Sequence, residues 1–266
     1  MERLEKTFAR AAERDESVLV AYLTGGYPSL PETAALLETV CAAGADIIEL
    51  GVPFSDPLGD GSVIQATTQH ALANGATAAA VLDLVAGVRE AGVQVPIMLM
   101  GYCNPFLRYG LGQLYADAAD AGADGFIVPD LPPHEADEWV AEAEARELGQ
   151  VFFSAPGSGP ERLAAGAARS RGFLYALAAN GVTGVRDQLD PGIEDYLERV
   201  RTAAGPLPVC VGFGISRPEH VRSLRGKAAG VIVGSALLKA IGGADSPSAR
   251  VRAAGELIRE LKGACR

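Results

Sequence analysis

The stretch Asp46-Ile-Ile-Glu-Leu-Gly-Val-Pro-Phe-Ser-Asp-Pro-Leu-Gly-Asp60 runs from a short apolar segment into a loop punctuated by proline and glycine. The apolar segment predicts a buried strand, and the alternation of strand side chains puts Glu49 on the same face as Ile47. A lone glutamate in a strand is more often a solvated edge residue or a structural ion pair. Here Asp56 and Asp60 follow in the loop, and acids grouped beside a buried acid suit acid–base chemistry.

Outward from this stretch, short apolar strands alternate with helix-like segments. The predicted strands are residues 17–23, 46–50, 95–100, 125–128, 151–153, 173–177, 208–211 and 230–233. The helix-like segments are residues 30–43, 78–92, 110–121, 133–147, 159–168, 192–203, 217–225 and 247–262. Strands that alternate with helices in this way are parallel and joined by right-handed crossovers. Eight such α/β units predict a (β/α)8 TIM barrel, with an open doubly wound sheet as the alternative.

Two further helices are predicted outside the eight repeats. Residues 1–13 form an amphipathic pattern before the first strand, and residues 236–241 form a short helix after the last one. The four residues Ala-Gly-Ala-Asp recur at 43–46 and 121–124, which indicates a repeated unit with a glycine helix cap. No linker or low-complexity stretch divides the chain, so residues 1–266 are predicted to be a single domain.

Composition narrows the possible partners. The chain has 266 residues, 48% hydrophobic and 21% charged, and a net charge of −10, which argues against nucleic acid or an anionic membrane as partner. No apolar run is long enough to span a bilayer, and the first residues do not resemble a secretory signal. Four cysteines lie far apart without metal-type spacing, which suits a reduced cytoplasm. An anionic substrate would therefore need local donors.

Glycine-containing segments follow each of the last three predicted strands. They are Asn180-Gly-Val-Thr-Gly184, Val211-Gly-Phe-Gly-Ile-Ser216 and Gly234-Ser235. Backbone N–H groups in such loops, together with a helix N-terminus, bind phosphate without needing lysine or arginine. A barrel carries its catalytic groups at the C-terminal ends of its strands, where Glu49 and Asp60 are also predicted to lie.

Several kinds of chemistry are disfavoured by what the sequence lacks. None of the four lysines falls inside a predicted strand, which argues against a Schiff-base aldolase. The three histidines do not cluster with carboxylates, and no metal site or dinucleotide fingerprint is predicted. The chemistry that remains after these exclusions is acid–base catalysis by carboxylates on a phosphorylated substrate. Each of the apolar and aromatic residues at the strand ends could be ordinary barrel packing, but together they suit a flat apolar substrate: Tyr22, Met100, Tyr102, Tyr175 and Phe213.

These motifs together resemble those of the tryptophan synthase alpha chain family. The resemblance rests on the long segment 48–61, continued at Ile64-Gln65, and on four shorter ones at 125–130, 181–184, 211–216 and 233–235. They occur in the family's order over nearly the whole chain. The resemblance implies retro-aldol cleavage of indole-3-glycerol phosphate to indole and glyceraldehyde 3-phosphate, with no cofactor in this chain.

The resemblance also implies residue roles. Glu49 is expected to be the general acid–base, and Asp60 is expected to bind the indole N–H. Expected substrate-binding residues are Tyr22, Ile64, Met100, Tyr102, Tyr175, Thr183 and Phe213. Expected phosphate-binding residues are Gly184, Gly212, Gly214, Gly234 and Ser235.

A partner is implied in the same way. The family works in an α2β2 complex, in which the tryptophan synthase beta chain carries pyridoxal phosphate. Pro53, Phe54, Asp56 and Asn104 match positions that face the beta chain, although Asp56 could instead form an Asx-turn or a cap. The alternatives left open are a lyase that acts without a partner, a subunit that mainly activates the beta chain, and another phosphate-binding barrel enzyme.

Three positions depart from the family's common pattern. Gly59 stands where alanine is usual, Ser62 where proline is usual and Ala178 where serine is frequent. The first two should loosen the loop that carries Asp60, by roughly 0.4–1 kcal/mol each in unfolded-state entropy. The departures therefore bear on loop closure and leave both carboxyl groups in place.

Overall fold

The computed structural model describes residues 1–178, 192–212 and 214–266. The predictions for Thr183, Gly184 and Phe213 lie outside the described residues, as does the segment 180–184.

A single parallel sheet forms the centre of the molecule. Its nine strands run in the order β5-β4-β3-β2-β1-β9-β8-β7-β6 within the described residues. Their bounds are β1 Val18–Thr24, β2 Ile47–Gly51, β3 Ile97–Met100, β4 Gly125–Ile127, β5 Gly149–Val151, β6 Phe153–Ser154, β7 Leu174–Leu177, β8 Val209–Gly212 and β9 Gly230–Val233.

The two outer strands of that order, β5 and β6, are consecutive in the chain and separated only by Phe152. β5 pairs with β4 and β6 pairs with β7, and the Phe152 carbonyl accepts the Tyr175 N–H at 3.0 Å. The two short strands therefore serve together as the fifth strand of a closed ring. This closure confirms the (β/α)8 barrel and excludes the open sheet.

Twelve α-helices surround the strands in the described ranges. They are α1 Glu2–Glu13, α2 Leu30–Ala43, α3 Ser62–Ala73, α4 Ala78–Glu90, α5 Cys103–Tyr109, α6 Leu111–Ala121, α7 Asp137–Ala145, α8 Pro160–Arg169, α9 Ile193–Ala204, α10 Pro218–Leu224, α11 Ser235–Gly242 and α12 Pro247–Ala264. A 3-10 turn, Pro133–Glu135, precedes α7. Helices α3 and α5 have no counterpart among the predicted segments, because α3 is rich in small and β-branched residues and α5 is a short helix with an internal proline.

Among the residues that the structure describes, no single helix is long and apolar enough to cross a membrane. The bent pair α3 and α4 meets that test together, by length and composition only.

The repeated Ala-Gly-Ala-Asp segments hold the N-terminal ends of two strands in the same way. Both glycines cap a helix with left-handed φ values of 115° and 87°. The aspartate at 46 accepts the Leu19 N–H at 2.8 Å, and the aspartate at 124 accepts the Ile97 N–H at 2.9 Å. Each carboxylate thus ties the beginning of its strand to the neighbouring strand, which is the physical basis of the repeat.

The lower half of the barrel interior is filled by side chains. Inward residues of β1 to β9, such as Ile47, Met98 and Ile127, are buried and pack together. The N-terminal helix α1 closes this end, since Leu4 is buried in the same cluster and the Phe8 ring lies 6.1 Å from that of Phe173. An open cavity therefore remains at the C-terminal ends of the strands.

Candidate active site

The main cavity lies at the C-terminal ends of the barrel strands and has a volume of about 230 Å³. Its walls combine apolar side chains with two carboxyl groups and glycine-rich backbone. The lining residues are Tyr22, Glu49, Gly59, Asp60, Ile64, Met100, Pro129, Phe153, Ala155, Ser158, Arg162, Tyr175, Leu177, Gly214, Ile215, Ile232, Gly234, Ser235 and Ala236.

Glu49 projects into this cavity near the end of β2. Its side chain is 1% exposed, and its Oε1 atom has no hydrogen-bond partner among the described residues. Burial, and secondarily the negative charge of Asp60, raise its pKa to about 8. The carboxyl group is therefore mainly protonated at neutral pH, and it lines the cavity with one oxygen that pairs with none of the described residues.

Asp60 reaches the same cavity from the loop that joins β2 to α3. Two backbone contacts fix it, since its N–H donates to the Pro57 carbonyl at 3.0 Å and its own carbonyl accepts the Gln65 amide at 2.7 Å. Burial raises its pKa to about 6, and a hydrogen bond from Tyr102 works in the opposite direction. At neutral pH Asp60 is mainly anionic while Glu49 is mainly protonated, so the two groups can take different roles.

Tyr102 lies behind Asp60, outside the walls of the main cavity. Its hydroxyl accepts the Gly59 N–H at 3.1 Å, and its ring centroid is 5.6 Å from that of Phe54. A Cβ atom added at Gly59 would come 3.2 Å from that hydroxyl. Glycine at this departure from the family pattern therefore leaves room for the contact, and Tyr102 holds the backbone that carries Asp60.

The predicted substrate-binding residues Tyr22, Ile64, Met100 and Tyr175 all line the main cavity. The Tyr175 ring packs on the Phe153 ring with 4.4 Å between centroids. Both tyrosines lie directly against glycines. A Cβ atom at Gly51 would come 2.2 Å from the Tyr22 hydroxyl, and one at Gly212 would come 2.3 Å from the Tyr175 hydroxyl. Gly212 is not among the cavity's lining residues, and it faces Tyr175.

Another part of the cavity wall is formed by glycine-rich backbone and the start of a helix. Gly214, Gly234 and Ser235 line the cavity, and α11 begins there at Ser235. The first N–H groups of a helix have no partner within the helix, and they attract anions together with the helix dipole. Gly214 adopts a φ of 93°, which favours glycine. Three of the five residues predicted for phosphate thus meet at one wall.

Three of the four residues predicted to face a partner line a second cavity. Phe54, Asp56 and Asn104 line it with Leu58, which is 86% exposed, whereas Pro53 is buried. The Asp56 carboxylate accepts the Ser55 hydroxyl at 2.5 Å, and the Leu58 N–H goes to the Asp56 backbone carbonyl. These contacts leave Asp56 on the surface, next to an exposed apolar side chain.

Several lining residues were absent from the sequence prediction. They come from β6, the loop that follows it, α8 and β7, and they are Phe153, Ala155, Ser158, Arg162 and Leu177. Their position at or after the end of a predicted strand, or at the start of a predicted helix, is the available signal, but no motif distinguishes them. No cluster of His, Cys, Asp and Glu suited to a metal ion occurs in the described part of the chain.

Together, the fold and this cavity define a class. The chain is a (β/α)8 barrel whose site offers two carboxyl groups of different pKa and a glycine-lined anion cradle, as in barrel enzymes that act by acid–base catalysis. A sequence profile described as the tryptophan synthase alpha chain matches residues 8–266, and the chain belongs to this family.

Individual relatives agree over almost their full lengths. The chain is 48% identical over 263 residues to the tryptophan synthase alpha chain of Roseiflexus sp. (strain RS-1), covering 99% of this chain and 100% of that protein. It is 46% identical over 261 residues to the alpha chain of Chloroflexus aggregans, covering 98% and 97%. A structure of Mycobacterium tuberculosis tryptophan synthase superposes with a TM-score of 0.91 at 38% identity, covering 99% and 98%. The subunit alpha of Legionella pneumophila str. Paris superposes with a TM-score of 0.89 at 33% identity, again covering 99% and 98%.

Proposed function

We propose that the chain is a carbon–carbon lyase that cleaves indole-3-glycerol phosphate to indole and glyceraldehyde 3-phosphate. The observation that carries this proposal is a protonated Glu49 and an anionic Asp60 in one cavity with a glycine-lined anion cradle. Family membership supports the same reaction. The cavity has room and apolar lining for the indole ring between Tyr22, Ile64, Met100 and Tyr175.

In the first step Glu49 donates its proton to C3 of the indole ring. A pKa of about 8 keeps this proton on the carboxyl group at neutral pH. The resulting carboxylate then accepts the proton of the hydroxyl group on the glycerol carbon that is attached to C3. The carbon–carbon bond breaks, its electron pair returns to the ring, and Glu49 ends the cycle protonated again.

Asp60 has a separate role in this scheme. Protonation at C3 places positive charge on the indole nitrogen, and an anionic carboxylate beside that N–H stabilises it. Its pKa of about 6 keeps Asp60 charged at neutral pH. Glu49 and Asp60 exchange only protons and electrostatic stabilisation with the substrate, so the proposed reaction requires no cofactor.

The phosphate end of the substrate anchors the molecule. The N–H groups at the start of α11 and the backbone at Gly214 and Gly234 would hold it, with Ser235 as a further donor. Anchoring one end limits the motion of the indole and brings C3 to Glu49, which converts binding energy into orientation.

We further propose that the chain works in the cytoplasm as the alpha subunit of an α2β2 complex with a tryptophan synthase beta chain. The candidate contact surface is the one formed by Phe54, Asp56, Leu58 and Asn104. It is continuous with the catalytic loop, because the Phe54 ring packs on Tyr102 and Tyr102 holds the Gly59–Asp60 backbone. Pyridoxal phosphate in such a complex would belong to the beta chain.

The test is indole release from indole-3-glycerol phosphate by the purified chain, alone and with a cognate beta chain. Slow release that rises on adding the beta chain supports the whole proposal. Full activity without a partner would favour a lyase that acts alone. No indole under either condition, with activation of the beta chain intact, would show a purely activating subunit and refute the lyase assignment.

A further inference from the structure

Arg162 borders the mouth of the catalytic cavity from the first turn of α8. Its side chain is exposed, and it is the one Lys, Arg or His among the lining residues that the structure describes. The remaining charged lining residues, Glu49 and Asp60, are both acids.

The segment that precedes Arg162 forms a tight turn directly after β6. The Ser158 N–H donates to the Ala155 carbonyl at 2.8 Å, and the Ser158 hydroxyl accepts the Ala155 N–H at 3.1 Å. Ser158 is itself 6% exposed and lines the cavity. This tight turn joins β6 to α8, so the first turn of α8 is held against the cavity mouth.

Two nearby arginines form ion pairs with acidic residues, whereas Arg162 forms none with the described residues. Arg169, at the other end of α8, pairs with Asp137, and Arg171 pairs with Glu144. Arg162 makes no ion pair or hydrogen bond with any residue in the described ranges. Its guanidinium is therefore available to a ligand.

The net negative charge of the protein makes a cation beside the cavity important for binding a phosphorylated ligand. The chain carries a net charge of −10 and has two acids in the cavity, so its general field repels a phosphorylated ligand. We propose that Arg162 receives the phosphate of the substrate or product at the cavity mouth and so favours phosphorylated over neutral ligands. This inference rests on the proposed function. Guanidinium also suits phosphate geometrically, because its donors form two parallel hydrogen bonds with phosphate oxygens.

The kinetic test compares Arg162→Gln with Arg252→Gln, which removes the same charge from an exposed position on α12 outside the cavity. In the reverse condensation, Arg162→Gln should raise the KM for glyceraldehyde 3-phosphate about threefold to tenfold and leave the KM for indole unchanged. The effect should fade in about 1 M salt, where the Debye length is about 3 Å. Arg162→Lys should retain part of the wild-type preference.

A binding test makes the inference independent of turnover. In calorimetric titrations, glycerol 3-phosphate should bind Arg162→Gln about threefold to tenfold more weakly than it binds Arg252→Gln. Equal binding in the two variants would overturn the inference, as would an equal change in the KM for indole. If the wild-type chain released no indole, the proposed function would be overturned instead. The titration would still decide the role of Arg162.

Discussion

Replacing Glu49 by glutamine should abolish catalysis while preserving the shape of the cavity. Glutamine has nearly the same volume but can neither donate a proton to C3 nor accept one from the glycerol hydroxyl. General acid–base catalysis contributes about 10²–10⁴-fold to a rate, and Glu49 is assigned both transfers. We therefore expect kcat to fall by at least about 10³-fold, with the KM changed by less than about threefold because ground-state contacts remain.

The same substitution should stabilise the fold. The pKa of Glu49 rises from 4.5 to about 8 on folding, so the folded state holds a proton that the unfolded state releases between these values. Stability is therefore lost as the pH rises through this window, and the cost at pH 7 is about 3 kcal/mol on the order-of-magnitude linkage relation. Glutamine does not ionise and avoids this cost. Below about pH 4 both proteins carry a neutral side chain, and the difference should vanish.

Two measurements check this reasoning together. Indole release gives the loss of kcat, and urea unfolding at pH 4, 7 and 8.5 gives the stability difference. An inactive variant that unfolds at higher urea concentration than wild type cannot owe its inactivity to misfolding. A residual rate within tenfold of wild type would refute the proton-donor role, and equal stability at pH 8.5 would refute the raised pKa.

The other predictions concern the rest of the site. Asp60→Asn should lower the rate of indole release about a hundredfold or more, and a negligible loss would leave Asp60 a loop residue only. The kcat/KM should follow a bell-shaped pH profile with limbs near 6 and 8, since the reaction needs anionic Asp60 and protonated Glu49. A flat profile between pH 5 and 9 would contradict that assignment. Gly212→Ala places a Cβ atom 2.3 Å from the Tyr175 hydroxyl, so it should destabilise the fold by about 1–3 kcal/mol. The added Cβ atom would also lie 2.6 and 2.7 Å from the Tyr175 ring carbons Cε1 and Cζ, so thermal unfolding should show a smaller loss for Gly212→Ala in a Tyr175→Ala background. An equal loss in both backgrounds would contradict the clash.

Local patterns were enough to place the two acids that line the cavity. Strand alternation put Glu49 on the inward face of β2, and the parallel (β/α)8 arrangement put Asp60 and the glycine loops at one end of the barrel. The long first motif also identified the family that the sequence profile confirms. These inferences depend on backbone periodicity and on neighbours in sequence, which the chain itself specifies.

Side-chain contacts between neighbouring strands could not be inferred in the same way, because each contact joins two separate segments of the chain. The register of β1 against β2 sets Tyr22 beside Glu49, and the register of β6 against β7 sets Phe153 beside Tyr175. Strand pairing also brings Gly212 of β8 against the Tyr175 ring of β7, and it places Tyr102, which follows β3, next to the loop that follows β2.

The amino-acid sequence by itself thus determined the alternation of strands and helices, apart from α3 and α5, together with the family and the two acids, because these follow from short-range patterns. Only the tertiary structure decided how far burial raises the pKa of each acid, which residues form the walls of the cavity, and that Arg162 pairs with none of the described residues. The physical reason is that burial and charge proximity arise only when segments far apart in the chain pack together.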